Sequence, residues 1–128
     1  HGNSVERNVD EGMTVYGDAV KLARVFNNIL KNAIAYSYTN SIIKIWAEQN
    51  EGKLCIYFRN KGKTIPSHKL DAIFEKFFRL DEARTTNTGG AGLGLAIAKE
   101  IVTLHGGSIT AASKNEETTF CVSLPWRS

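Results

Sequence analysis

Few of the residues that build special architecture occur in this chain. Its 128 residues include two cysteines, two prolines and one methionine. Cys55 and Cys121 make no C-x-x-C pair and each sits in a strand-like run, which suits a reduced, cytosolic protein whose thiols serve as small buried apolar residues. No apolar run approaches the roughly 20 residues of a membrane span, and the polar start HGNSVERN lacks the h-region of a signal peptide. The reading is a soluble segment with no direct membrane contact. There is no basic tract interleaved with aromatics either: 16 basic and 13 acidic residues are mixed along the chain for a formal charge of +3, and nucleic acid is not the expected partner. Repeats and interdomain linkers are also missing. What is present, 42% apolar and 23% charged residues, is the balance of a single domain, 1–128, around one core.

Periodicity supplies the elements. In DAVKLARVFNNILKNAIAYS the residues Leu22, Val25, Phe26, Ile29, Leu30 and Ala33 recur at helical spacing behind Asp18, an N-cap candidate. SIIKIWAE and KLCIYFRN alternate as two strands across an NEG hairpin turn, with Lys44, Trp46, Glu48, Tyr57 and Arg59 on the second face. PSHKLDAIFEKFF reads as a second helix on Leu70, Ile73, Phe74 and Phe77, capped by Ser67. RLDEARTTNTGGAG has no period and is long enough to be a functional flap, about Leu80 to Ala91. LGLAIAKEIVTLHG is a third helix on Leu93, Ile97, Ile101 and Leu104, stopped by Gly106. SITAAS and TTFCVSLPW form another strand pair, and VERNVDEGMTVYG adds at least one strand. The expected fold is α+β, a two-layer sandwich with three helices on one face of a mixed, mostly antiparallel sheet of about five strands.

Three stretches could carry chemistry. Gly90, Gly92 and Gly94 alternate at the start of the third helix, which is neither G-x-G-x-x-G nor a P-loop, and GKT at Gly62 to Thr64 fails the P-loop because Tyr57 stands where its first glycine belongs. Bare N–H groups at a positive helix end suit an anion such as phosphate, although for the glycines alone a flexible loop before a helix is the more ordinary reading. On the first helix Asn28, Asn32 and Tyr36 follow one another turn by turn beside the apolar stripe. Asn is a mediocre helix former, and an amide oxygen is a hard, neutral ligand suited to Mg²⁺ that already carries phosphate. A plain polar edge is the other reading. Third, FRNKGKTIP ends a strand in a glycine turn carrying Asn60, which alone is an ordinary connection.

The order of the three, Asn-x-x-x-Asn, then a polar residue before Gly and Ile-Pro, then Phe-x-x-Phe and a flap into G-x-G-x-G, resembles the ATP-binding catalytic domain of sensor histidine kinases. These belong to the wider Bergerat-type ATPase superfamily of gyrase, the Hsp90 chaperones and the mismatch-repair MutL proteins. NNILKNAIAYS is similar to the N box, NKGKTIP to the G1 box, FEKF to the F box and GGAGLGL to the G2 box. The wording around them is similar to VanS-type sensor kinases of vancomycin resistance. The resemblance implies ATP and Mg²⁺ as cofactors, with Asn32 on the metal, Asn28 beside the phosphates and Tyr36 near ribose and phosphates. Asn60 falls where most members place the Asp that accepts the adenine amine. The resemblance further implies that Gly62 and Ile65 lie at the base, that Gly90, Gly92, Leu93, Gly94 and Leu95 belong to the closing flap and helix start, and that Arg79 reaches the γ-phosphate. His105 reads as a helix C-terminal residue rather than a ligand.

Two positions depart from that pattern. An Asn at 60 still accepts a hydrogen bond, but an uncharged one weaker by about 1 kcal/mol. Ala35 falls where many members carry a phosphate-touching Lys or Arg, for which Lys31 or Arg84 could stand in. The implied reaction moves the γ-phosphoryl of Mg-ATP to a histidine on a separate phosphoacceptor and dimerisation domain, and from there to an aspartate of a response regulator. That implies a monomeric fragment, a homodimeric full-length kinase and a cytoplasmic domain of a membrane sensor. The competing classes are a gyrase-type ATPase, disfavoured because Asn28 cannot act as a base near neutral pH, and an anti-sigma-factor-type serine kinase or nucleotide-sensing module.

Overall fold

The computed structural model describes residues 4–8, 19–76 and 93–125. The readings placed on Asp18, Phe77, Arg79, Arg84, Gly90, Gly92 and the rest of the 80–91 flap lie outside the described residues. In chain order the elements are β1 (Ser4–Asn8), α1 (Ala19–Tyr36), β2 (Ile42–Asn50), β3 (Lys53–Lys61), two 3-10 turns (Ser67–Lys69 and Ala72–Phe74), α2 (Gly94–Leu104), β4 (Ser108–Lys114) and β5 (Glu117–Pro125). They form one five-stranded sheet in the order β1-β2-β3-β5-β4. The pairings β2–β3, β3–β5 and β4–β5 are antiparallel. Among the described strands only β1 runs parallel to its neighbour β2, a pairing that needs a long crossover connection, here one that contains α1. The fold expected from the sequence is the one observed.

Two tight turns set the register. Glu51 and Gly52, with φ of 46° and 80°, join β2 to β3, and Asn115 and Glu116, with φ of 52° and 62°, join β4 to β5. Positive φ at both central residues is the signature of the hairpin turn that follows strand twist. The NEG turn thus lies where the sequence put it. From there the period of two sends Leu54, Phe58 and Asn60 to the covered face together with Phe120, Val122 and Leu124.

Helix α1 covers that face with Leu22, Val25, Ile29 and Ala33, of which the last three are fully buried. Each of the larger side chains, Leu22, Val25 and Ile29, contributes about 1.5–3 kcal/mol when withdrawn from water. Helix α2 adds Leu95, Ala98, Ile101 and Val102 to the same core. Phe74 meets Phe120 edge-on, ring centroids 6.3 Å apart, and ties the second 3-10 turn to β5. At the end of α2, Gly106 (φ +77°) lets its own N–H reach the Thr103 carbonyl at 3.0 Å while Gly107 N–H reaches Val102 at 2.9 Å. These paired bonds satisfy carbonyls that the helix end would leave open. His105 Nδ1–H donates to the Ile101 carbonyl at 2.8 Å, the helix-terminal role assigned to it.

Two expectations about the helices need correction. PSHKLDAIFEKFF is not one α-helix over its described part: Ser67–Lys69 and Ala72–Phe74 are separate 3-10 turns, and Glu75 is extended at ψ 149°. Ser67 lies inside the first turn behind Pro66 and makes no side-chain cap. In α2 the stripe is rotated from the one expected. Leu104 is 75% exposed, and Val102 takes the buried place.

Among the described residues, no helix covers the opposite face of the sheet. Trp46 and Tyr57 stack there, 5.0 Å apart and 14° from parallel, and the Arg59 guanidinium lies 4.9 Å over Trp46 while its Nε donates to Thr119 Oγ1. Tyr57 pairs in register with Cys121, and Cys55 is free on the same face. Burial chiefly raises the Tyr57 hydroxyl to about 12 and the Cys121 thiol to about 11.

Candidate functional site

The sheet's core-facing rows are apolar until the last, which is polar. Asn60 on β3 pairs with Thr118 on β5, and Thr118 pairs with Ser113 on β4. Asn60 is 2% exposed and Thr118 3%. Ser113 Oγ lies 2.8 Å from Thr118 Oγ1 and accepts the Ile65 N–H at 2.8 Å. That chain fixes the loop after β3 against the sheet end. The Asn60 amide, by contrast, makes no hydrogen bond among the described residues. A buried amide with open bonds is costly unless something else supplies them.

That something has room. Asn60, Thr118 and Phe120 form part of the wall of a pocket of about 290 Å³, which Ile65, Pro66 and Tyr36 also line. Lys63 and Lys69 bring two cations to it. Its mouth is stitched by hydrogen bonds: Tyr38 N–H donates to the Lys61 carbonyl at 2.7 Å, Gly62 N–H to the Glu116 carbonyl at 3.0 Å, and Glu116 N–H to the Thr64 side-chain Oγ1 at 2.8 Å. The Tyr38 hydroxyl donates to the Glu116 carboxylate, and that bond first, then burial and the carboxylate's charge, raises its pKa above the ordinary value. Gly62 is required by contact rather than by torsion. A Cβ there would stand 2.2 Å from the Tyr36 carbonyl oxygen, so only glycine lets β3 leave so close to the end of α1.

A second cluster forms where the two helices meet. Gly94, the first residue of α2, faces α1, and a Cβ on it would meet Asn32 Nδ2 at 3.4 Å and Asn28 Cβ and Cγ at 3.9 Å, ordinary packing distances. Asn32 Nδ2 donates to the Asn28 carbonyl at 3.0 Å. One N–H of the Asn32 amide is thus committed to its own helix, while its oxygen, which makes no hydrogen bond among the described residues, is the kind of atom a hard cation takes. Beside it stands the amino end of α2, where the first N–H groups of a helix and its dipole favour an anion. A neutral amide near an end that favours anions fits an ion that arrives with phosphate oxygens and waters.

Of the residues singled out from the sequence, Tyr36, Asn60, Gly62 and Ile65 gather at the pocket, and Asn28, Asn32 and Gly94 gather at the helix contact. Leu93 is half-buried just before α2, and Leu95 is buried in the core, so Leu95 contributes packing. Ala35 is buried, Lys31 is exposed, and the pocket's own cations are Lys63 and Lys69. The sequence reading passed over Thr118 and Ser113. Their signal was available: each is a polar residue in phase with an apolar series, Thr118 with Phe120 and Val122, Ser113 with Ile109 and Ala111.

Residues 17–128 match the family described as histidine kinase-, DNA gyrase B- and HSP90-like ATPase. The sensor protein VanS of Enterococcus faecium is 59% identical over 98% of this chain, and the matched part is 32% of that protein. The chain thus spans about a third of the length of the curated relatives it matches. Among solved structures, the mycobacterial sensor histidine kinase MprB superposes with a TM-score of 0.84 at 30% identity, over 98% of this chain and 83% of that one. The histidine kinase ThkA, solved in complex with the response regulator protein TrrA, gives 0.77 at 27% identity, over 98% of this chain and 34% of that one. The chain belongs to this ATPase family and, within it, to the catalytic domains of sensor histidine kinases.

Proposed function

We propose that this chain binds Mg-ATP and supplies the γ-phosphoryl group that a sensor kinase places on a histidine of its phosphoacceptor and dimerisation domain, for onward transfer to an aspartate of a response regulator. The observation that carries this is the approach of Gly94 to Asn28 and Asn32: it sets a helix end that favours anions beside the Asn32 amide, at the opposite end of α1's polar edge from the Tyr36 pocket. Phosphoryl transfer rests on positioning and charge neutralisation more than on a protein nucleophile. Here the pocket would seat the base, the amino end of α2 would hold phosphate oxygens, and Asn32 would orient the metal. Mg²⁺ would neutralise charge on the phosphates during transfer. Arg79, Gly90 and Gly92 are assigned to the phosphates by resemblance alone.

With Asn at position 28 the chain lacks the base a water-splitting ATPase would use there. The likeness to VanS makes control of vancomycin resistance the biological role we infer, and it makes this chain the cytoplasmic catalytic part of a membrane-anchored, dimeric sensor. No described helix is long and apolar enough to cross a membrane. The test is calorimetric titration with ATP, with and without Mg²⁺, on the wild type and on Asn32→Ala, followed by phosphotransfer to a purified phosphoacceptor domain. The variant is expected to keep its fold and lose at least tenfold in Mg-ATP affinity, equivalent to about 1.4 kcal/mol. Equal affinity in the two proteins would remove Asn32 from the metal.

A further inference from the structure

Taking the pocket as a purine nucleotide site, as proposed above, its polar wall has an unusual property: neither of its two buried groups has a fixed hydrogen-bonding sense. The Asn60 amide carries an acceptor at one tip and a donor at the other, and no described protein group selects which tip faces the pocket. Thr118 is equally free. Ser113 Oγ already accepts the Ile65 N–H, but the Ser113–Thr118 bond can run either way. When Ser113 donates to Thr118, the Thr118 proton is free for a ligand. When Thr118 donates to Ser113, the Thr118 oxygen accepts from one. Asn60 and Thr118 are register partners on adjacent strands, so their side chains start about 5 Å apart on one face and can address neighbouring atoms of one ring edge.

The two kinds of purine differ in that sense. Adenine presents a donor at its 6-amino group and an acceptor at N1; hypoxanthine and guanine present an acceptor at O6 and a donor at N1. A carboxylate at position 60 would accept only, and a site of fixed polarity rejects the inverted partner by orders of magnitude because its buried groups go unpaired. We propose that this pocket reads purine nucleotides without discriminating at position 6, accepting 6-oxopurine nucleoside triphosphates alongside ATP, with Asn60 and Thr118 inverting together. For ATP, Asn60 Oδ1 accepts from the amine and Thr118 donates to N1. For a 6-oxopurine, Asn60 Nδ2 donates to O6 and Thr118 accepts from N1–H. No atom has to move beyond an amide flip and a hydroxyl rotation.

Inosine triphosphate is the probe, since it differs from ATP solely at that edge. Titrated against the wild-type chain with Mg²⁺, it should bind within about tenfold of ATP, a gap of at most about 1.4 kcal/mol. A gap wider than that overturns the proposal while leaving the ATP site intact, whereas failure of both nucleotides to bind overturns the nucleotide reading of the pocket itself. Asn60→Asp should widen the preference for ATP at least tenfold, and an unchanged ratio would remove Asn60 as its source. Thr118→Val, nearly isosteric, tests the second half independently of whether the Asp variant folds. It should weaken both nucleotides by similar factors, and a loss confined to one would refute the paired inversion.

Discussion

At Gly62 one missing methyl group decides whether the pocket can exist. Because a Cβ would press to 2.2 Å from the Tyr36 carbonyl, and that oxygen belongs to backbone that cannot swing aside, Gly62→Ala should cost about 1–3 kcal/mol in urea unfolding. Asn60 lies two residues away, at the end of β3, so nucleotide affinity should fall as well. A variant as stable as the wild type would show that α1 and β3 are not held as described. On the uncovered face, titration gives a second residue-scale expectation. Burial raises Cys121 from 9.0 to about 11 and Tyr57 from 10.0 to about 12. The unfolded chain would release these protons first, so their contribution to stability is complete below about pH 9 and is lost as pH rises toward 11 and 12. Thermal melts between pH 8 and 11 should show a falling Tm, with a shallower fall in Tyr57→Phe. An identical slope in that variant would exclude the phenol from the effect.

Helix α1 works at the scale of the element because its two faces do different jobs. Val25, Ile29 and Ala33 are fully buried, whereas Asn28 and Asn32 ride the edge that meets α2. Ile29→Ala should therefore cost about 2–5 kcal/mol of unfolding free energy with the site chemistry untouched, the reverse of Asn32→Ala. A loss below 1 kcal/mol would mean the core closes over the gap. This helix and the four antiparallel strands were legible in the sequence, because periods of 3.6 and 2 held over enough residues to be unambiguous. The segment after Pro66 was not. Leu70, Ile73 and Phe74 satisfy i, i+3 and i+4 spacing over a single turn, which a pair of 3-10 turns meets as well as an α-helix. Of the site, the Asn pair and the glycines stood out by being locally odd, whereas Thr118 and Ser113 did not, since a hydroxyl at a strand end looks ordinary until the register sets it beside Asn60.

At the scale of the whole molecule, register makes the pocket a long-range object. Asn60 faces Thr118, and Ile65 is tied to Ser113, so a site whose helix and first wall come from the first half of the chain is closed by its last two strands. During synthesis this becomes an order of events. A nascent chain that has emerged only as far as α2 already holds β3 beside β2, but the flank of β3 that β5 will occupy is still bare, an open edge of the kind that recruits other strands. Nucleotide cannot help at that stage, because half of its binding wall has not been made. Stabilisation by mass action begins only once β5 has zipped down β3. A chain cut after Lys114 should accordingly bind no ATP by calorimetry and scatter light as it associates, and ATP added during refolding of the intact chain should slow its unfolding without quickening its folding. The ligand guards the finished domain and has no part in building it.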